Sequence, residues 1–550
     1  MNDQIPSGQA RRLVSTGRAS WTADLRAGFI VFLIALPLSI GIALASGAPP
    51  TAGVLAAIIG GVLGSLVTGA HLTINGPAAG LIVIVMGAIH DLGGDPMEGF
   101  KRMLAALVCA GILQIIFGVF RLGAIGLAVP GSVIHGMLTG IGVIIMVKQL
   151  PVALGVIPTA KTLPDMILAI PHTLEALNPE VALIAMVGFY IILYMSRDSN
   201  KIARFVPAPL LVIVAGIVMA HLFDFEHEHL VESHWLHFTA DERLLLNLPK
   251  NLTTAIFLPD FSRWLTPKFW IYVVELAMVG SIESLLSAAA VDRMDPFKRT
   301  TNLDRELIGK GVCNVVCGLI GGLPIIAEMV RSTANIQNGA ITRRANFFHG
   351  IFILLALVFI PHLLHLIPLA ALAAILMSVG YSLAHPRQFL KTAQIGPEHF
   401  SAFIVTFAVT IMSDLLLGVI AGILVELVVN VTRGASIKSI FKADIHEHDH
   451  PEAKTLTITS ALVFTNYLSF KKQMEKYLQA DQSSVRIDLR LAHVIDHTVL
   501  EQLHRMSQES KRTGSGFELV FSNLHTPVSK HPLAARRLPR DSIASYREEK

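Results

Sequence analysis

Thr73-Ile74-Asn75-Gly76-Pro77-Ala78-Ala79-Gly80 interrupts a stretch of 64 residues, between Arg26 and Asp91, that holds no Asp, Glu, Lys or Arg. A helix needs about 20 residues to cross the ~30 Å hydrocarbon core of a bilayer, so this stretch accommodates about three passes. The cluster Ser46-Gly47-Ala48-Pro49-Pro50 separates the first pass from the second, and the quoted octet opens the third. A pass that opens on such a Gly/Pro break starts its helix near mid-membrane. It presents unpaired N–H groups and the positive end of its dipole there.

Outward from the octet, further apolar segments follow near 103–120, 124–147, 180–195, 206–223, 269–291, 306–322, 325–336, 346–362, 366–384, 399–413 and 415–432. That makes fourteen, which divide as seven plus seven. An odd repeat length inverts the second half relative to the first. The third segment of the second half also opens on a break, Gly321-Gly322-Leu323-Pro324. Interrupted segments at matching positions of two halves point to a transporter binding site. Two helix N-termini converging there make an anion site without many cationic side chains. Its candidate contacts are the backbone N–H groups of Ala78, Ala79, Gly80, Ile326, Ala327 and Glu328. Close packing of helices is the alternative use for these glycines.

Composition agrees with a membrane bundle. Charged residues make up 15% of the 550 residues, against roughly 25% in soluble chains. The shortfall is uneven: 31 charged residues fall in the last 113 positions, from Lys438, and 53 in the preceding 437. The tail therefore reads as a soluble domain. With the N-terminus inside, eighteen Lys and Arg, including Arg11, Arg12, Arg18, Lys201, Arg204, Arg343 and Arg344, fall in inside segments. Eight, including Lys101, Lys148, Lys161, Arg243 and Lys250, fall outside. The positive-inside rule then predicts cytoplasmic termini in an inner (plasma) membrane protein. Cys109, Cys313 and Cys317 lie in apolar runs and imply no disulfide framework. A net charge of +4 is too small to imply a nucleic-acid partner. No nucleophile–base pair, metal cluster or phosphate loop suggests an enzyme, and no cofactor is expected. His221, His227, His229, His234 and His237 read as a solvated, acidic outer loop.

Ionisable residues inside a bilayer are costly and mark functional sites. Glu283 lies in Gly280-Ser281-Ile282-Glu283-Ser284-Leu285-Leu286-Ser287, one turn before Ser287 on the same face. The pair suits Na⁺ ligation or, through the carboxyl, proton carriage. Glu328, Arg331 and Ser332 lie within about one turn of the tenth segment. Arg331 is available either to an anion or to an internal i, i+3 salt bridge with Glu328.

These residues resemble the SulP family of sulfate permeases and related inorganic anion transporters. The resemblance runs through Asp24-Leu25-Arg26-Ala27-Gly28, Leu36-Pro37, Ala45-Ser46-Gly47-Ala48-Pro49-Pro50, Asn75-Gly76-Pro77-Ala78-Ala79, Gly321-Gly322-Leu323-Pro324 and Ile367-Pro368-Leu369-Ala370-Ala371-Leu372. It implies a helical polytopic membrane protein of fourteen spans in two inverted seven-helix repeats. A core domain would move against a gate domain, with substrate between the N-termini of the third and tenth spans. It further implies a homodimer. Glu283 and Ser287 match positions that hold Na⁺ in bicarbonate-transporting members, where the acid is Asp; Arg331 matches a basic residue near the anion site. Glu stands for Asp at 283, and Glu328-Met329 stands where sodium-coupled members carry small or hydroxylated residues; the hydroxyl ligand lost at Met329 favours H⁺ over Na⁺. Carboxylates in spans eight and ten also resemble those of nucleobase permeases, so an H⁺-coupled nucleobase or dicarboxylate permease of the same fold is the alternative. A membrane-anchored signalling scaffold is a third.

The domain boundaries expected are a cytoplasmic segment 1–26, a transport domain 27–433, a linker 434–450 and a tail domain 451–550. In the tail, Thr455 to Thr459 reads as a strand, Phe470 to Gln479 as an amphipathic helix, Ser484 to Leu489 as a buried strand and His497 to Lys511 as a second helix. The segment Val485-Arg486-Ile487-Asp488-Leu489 with Val494-Ile495-Asp496-His497-Thr498-Val499-Leu500 resembles a STAS domain, which nucleobase permeases lack. Thr498 matches the phosphorylated position of STAS regulators; an N-cap at Asp496 to Thr498 is the plainer role. The tail departs from the STAS pattern beyond Ser522.

Overall fold

The computed structural model describes residues 17–124, 129–156, 163–197, 206–227, 229–233, 236–240, 242–246, 256–413, 415–449, 453–480, 484–513 and 517–539. Arg11, Arg12, Lys161, Lys201, Arg204, His234 and Lys250 lie outside the described residues. Each of the fourteen apolar segments contains a helix. Seven described helices are long and apolar enough to cross a membrane, and five more apolar helices run 10–17 residues. The protein is a multi-pass membrane protein.

The chain divides into two compact units, residues 1–126 with 141–383, and residues 127–140 with 384–550. The first unit holds α1 (Gly17–Ala45), α2 (Pro50–Val67), β1 (Ile74–Pro77), α3 (Ile82–Leu92) and α4 (Pro96–Val119). After the second half of α5 (Gly131–Ala153) come α6 (Leu163–Leu168), α7 (Ile170–Glu175), α8 (Pro179–Met195) and α9 (Ala208–Leu222). The hairpin β2 (His229–Ser233) and β3 (Leu236–Ala240) occupies the His-containing loop. Then follow α10 (Pro267–Met294), α11 (Leu303–Ile320), β4 (Ile325–Glu328), α12 (Met329–Gln337), α13 (Arg344–Phe359), α14 (Pro361–His365) and α15 (Leu369–Leu383). Without a hydrophobic drive between helices in lipid, small residues let them approach closely. On α11 and α4, a Cβ on Gly311 would lie 2.5 Å from the Gly111 carbonyl, and one on Gly118 would lie 2.7 Å from that of Asp304.

The second unit comprises the first turns of α5, α16 (Pro386–Ile395), α17 (Pro397–Met412), α18 (Leu415–Thr432), α19 (Ile437–Phe441) and the tail. Compactness therefore does not follow the boundary drawn near residue 433. Helices α17 and α18 interlock through Gly418 and Gly422 against Thr410 and Thr406, an Arg433–Glu398 ion pair joins their far ends, and Ser132 Oγ donates to Glu426 at 2.7 Å.

The tail is a four-stranded sheet in the order β5 (Ile445–Asp449), β6 (Ala453–Ile458), β7 (Ser484–Asp488), β9 (Phe517–Val520). Only β5 runs antiparallel to its neighbour. It falls inside the stretch expected to be a linker, because His446-Glu447-His448-Asp449 carries the charge of an edge strand and lacks the apolar alternation that flags a buried one. Helices α20 (Tyr467–Ala480) and α21 (His497–Thr513) supply Phe470, Met474, Val499 and Leu503 to a core with Leu456, Val485 and Ile487. Beyond Ser522, short strands β10 (Thr526–Pro527) and β11 (Arg536–Arg537) pair in order β10–β11–β8, where β8 is Val494–Ile495.

Asp496 starts α21: its Oδ1 accepts from the Val499 N–H at 2.8 Å and its Oδ2 from the Phe464 N–H at 2.5 Å. This is the N-cap role read from the sequence, and Thr498 beside it is 6% exposed, so its hydroxyl is not presented at the surface. Burial pushes the Asp496 carboxyl up to about 7 in spite of the two donors. An unfolded aspartate ionises near ~3.9. The folded chain thus holds a proton that the unfolded chain has lost between roughly pH 4 and pH 7, and stability falls as pH rises through that window. Asp496→Asn removes the titration and keeps one of the two acceptors, its amide nitrogen being unable to accept the other N–H, a loss that does not vary with pH. The melting temperature of the variant relative to wild type is expected to rise as pH is raised from 4 to 8 in thermal melts, because only wild type loses stability through that window.

Candidate functional site

Both Gly/Pro breaks become short extended strands, and β1 and β4 pair antiparallel with Ile74 opposite Glu328, Asn75 opposite Ala327, Gly76 opposite Ile326 and Pro77 opposite Ile325. Local chemistry dictates this. Gly321 ends α11 in the left-handed region at φ 96°, with its N–H on the Cys317 carbonyl; the following Pro324 carries no N–H to continue a helix. On the other side, Pro77 ends β1, and a 3₁₀ turn over Ala79–Leu81 leads into α3. Because the strands run oppositely, α3 and α12 leave the pair in opposite directions, each with its N-terminus at the strands.

Pairing of the strands engages one of the candidate N–H groups outright. Ala78 donates to the Pro324 carbonyl at 3.2 Å, so it does not offer the free N–H expected of it. Ile326 and Ala327 lie within the ladder. Ser332 is also bound up: its Oγ donates to the Glu328 carbonyl at 2.5 Å and accepts the Ile74 N–H at 2.9 Å. Its hydroxyl ties α12 to β1, which corrects its reading as a substrate contact. Ala79 and Gly80 remain at the helix start. The Ala79 N–H faces the Glu328 carboxyl.

Three ionisable side chains converge on these strands. Glu283, on α10, is 8% exposed, and neither carboxyl oxygen has a hydrogen-bond partner. A Cβ on Gly80 would lie 1.7 Å from its Oε1. Only glycine at position 80 lets that carboxyl reach the first turn before α3, where the helix dipole favours negative charge. Glu328 occupies the N-cap of α12 with one carboxyl oxygen unpartnered. Arg331, one turn on, is fully buried, and none of its three guanidinium nitrogens has a hydrogen-bond partner. It lies against Gly76, whose added Cβ would be 2.3 Å from a guanidinium nitrogen. The i, i+3 salt bridge to Glu328, the alternative use for this arginine, is not formed. Ser287 is half-buried one turn beyond Glu283. Among the described residues no group of His, Cys, Asp and Glu has the arrangement of a metal site.

A further set of polar residues was not singled out from the sequence. Glu306, Lys310 and Asn314 stand at successive i, i+4 positions on α11, all buried. Their spacing was the available signal, obscured because Glu306 lies near the loop charges Asp304 and Arg305.

The sequence matches the Sulfate permease family over residues 21–406 and the STAS domain over 443–535. YvdB of Bacillus subtilis (strain 168) is 28% identical over 504 residues, covering 90% of this chain and 91% of its own. The bicarbonate transporter BicA of Picosynechococcus sp. is 27% identical over 420 residues, covering 76% and 71%. The solved transmembrane domain of a cyanobacterial BicA aligns with a TM-score of 0.61 at 26% identity, covering 74% of this chain and 97% of that one. A strand-paired, carboxylate-bearing centre followed by an α/β tail, with a family match over more than two thirds of its length, identifies the chain as a member of the sulfate permease family of anion transporters, carrying a STAS domain.

Proposed function

We propose that the protein is a secondary active transporter of a small inorganic anion, sulfate or bicarbonate, working by alternating access as an H⁺ symporter. The observation that carries this reading is the convergence of Glu283, Glu328 and Arg331 on the strand-paired starts of two half-helices. Arg331 supplies a guanidinium with no internal hydrogen bond, the Glu328 carboxyl acting on it only from beyond salt-bridge distance, and it suits the planar or tetrahedral oxyanions that guanidinium binds bidentately. The Gly80 N–H group completes the anion site. Glu283 carries the coupling cation. Its two carboxyl oxygens and Ser287 would also suit Na⁺, but Met329, 44% exposed, supplies no oxygen ligand, so H⁺ is the favoured ion. Both termini would lie in the cytoplasm of a plasma-membrane homodimer, with the STAS domain available for regulation.

Uptake by proteoliposomes tests the reading. Radiolabelled sulfate and bicarbonate, with uracil and succinate as the alternatives, are offered under imposed H⁺ or Na⁺ gradients. Accumulation of sulfate or bicarbonate driven by an inward H⁺ gradient is expected. Uptake of uracil alone would replace the anion reading with the nucleobase one, and absence of any uptake would favour the scaffold.

A further inference from the structure

The ridge on α11 reaches both strands of the site from behind. At its first position, Glu306 Oε2 accepts the backbone N–H groups of Gly69 and Ala70 at 2.9 and 3.1 Å, just ahead of β1. At the second, Lys310 pairs with Glu306 Oε1 at 2.9 Å and donates to Asn75 Oδ1 within β1. At the third, Asn314 Oδ1 accepts the Ile325 N–H at 2.6 Å, its Nδ2 donates to the Ile325 carbonyl at 3.3 Å, and the same Nδ2 reaches Gln114 at 2.8 Å. One helix face thus grips β1 at its approach and middle and β4 at its first residue. Asn75 is held from the other side as well, its N–H donating to Asn346 Oδ1 at 3.1 Å, and α2 closes on it so tightly that a Cβ on Gly60 would lie 2.6 Å from its carbonyl.

Lys310 and Glu306 are both fully buried. Replacing a buried ion pair by apolar residues of similar size is often neutral or stabilising, so such a pair is weak evidence for a role in stability. What the pair does here is geometric: the ammonium spans from α11 to a side chain of β1, and the carboxylate fixes the backbone that leads into that strand.

We propose that Lys310 is a positioning residue for transport, holding β1 in register so that the α3 N-terminus, and through the ladder the α12 N-terminus, keep anion-binding geometry, while Lys310 itself never touches the anion. This rests on the β1–β4 pair being the anion site. A misplacement of about 1 Å in a binding constellation can cost about a hundredfold in rate, so the link need not be strong to matter.

The test compares full-length wild type with Glu306→Gln/Lys310→Met. The amide oxygen introduced by Glu306→Gln still accepts from Gly69 and Ala70 and no unpaired charge is left behind, while the ion pair and the link to Asn75 are lost together. Two readouts are taken on the purified protein: deuterium exchange of peptides covering 69–82 and 321–331, and proteoliposome uptake of radiolabelled sulfate and bicarbonate. The expected result is at least about tenfold faster exchange of the strand amides with an unchanged melting temperature, and KM raised at least about tenfold with Vmax within about threefold. Wild-type exchange rates in the variant overturn the proposal, and so does faster exchange with an unchanged KM. If the double variant does not fold, Asn75→Ala removes the acceptor while leaving the ion pair intact and is judged by the same readouts. If wild type carries neither anion, the functional reading falls, and the exchange data alone decide the positioning role.

Discussion

Glu283→Gln is expected to abolish accumulation driven by an imposed H⁺ gradient while leaving downhill anion exchange measurable. The argument starts from where the carboxyl sits. It abuts Gly80 at the start of α3, next to the N–H group read here as an anion contact, and neither oxygen is hydrogen-bonded. A group so placed changes the anion site when it changes charge: ionised, it competes with the anion for the positive end of the dipole; protonated, it does not. Binding of the proton and of the anion are therefore favourably linked, as symport requires, and the linkage is reciprocal. Glutamine has nearly the same shape and stays neutral. A one-unit pH gradient coupled one to one supports about tenfold accumulation; the variant should reach a ratio of about one, while counterflow of radiolabelled anion persists. Accumulation by Glu283→Gln equal to wild type would remove the coupling role from this residue and turn attention to Glu328.

The elements that could be read from sequence are those that local chemistry decides. Proline without an N–H and glycine at positive φ break a helix whatever surrounds them, so the two interruptions were legible and fell where β1 and β4 lie. In the tail, β6, α20, β7 and α21 each carry their own periodicity and were legible too. What a group is bonded to was not. Ala78 looked like a free donor because its acceptor, the Pro324 carbonyl, belongs to the other break. Ser332 looked like a ligand because Ile74, whose N–H it accepts, is 258 residues away. Lys310 drew no notice because its partner Asn75, 235 residues distant, gives its charge a purpose only once both strands are placed. The inverted relation expected of the two halves brings the two breaks together, but does not say which hydrogen bonds their meeting consumes.

Arg331 supplies the other large effect, and the one that best separates binding from architecture. A guanidinium fully buried with no hydrogen-bond partner on any nitrogen, and only the Glu328 carboxyl acting on it from beyond salt-bridge distance, is a poorly compensated charge, and such charges are costly in an interior. A residue kept for stability would be paired; this one is not, even though Glu328 stands within a turn. Arg331→Met, which keeps most of the volume and removes the charge, is therefore expected to melt at the same temperature as wild type or higher in anion-free buffer. Its uptake of sulfate or bicarbonate should nevertheless fall by at least about a hundredfold, because charge-assisted and bidentate contacts are the strong ones. The two proteins should also respond oppositely to added anion. A ligand at a hundred times its Kd stabilises the folded state by about 2.7 kcal/mol, so the transported anion should raise the wild-type melting temperature by several degrees and leave Arg331→Met where it was. An architectural arginine gives the reverse pattern: the variant melts lower, and the anion still stabilises it. Because the charge is costly in the empty site and satisfied in the loaded one, the sign of the stability change reports whether Arg331 is there for the anion.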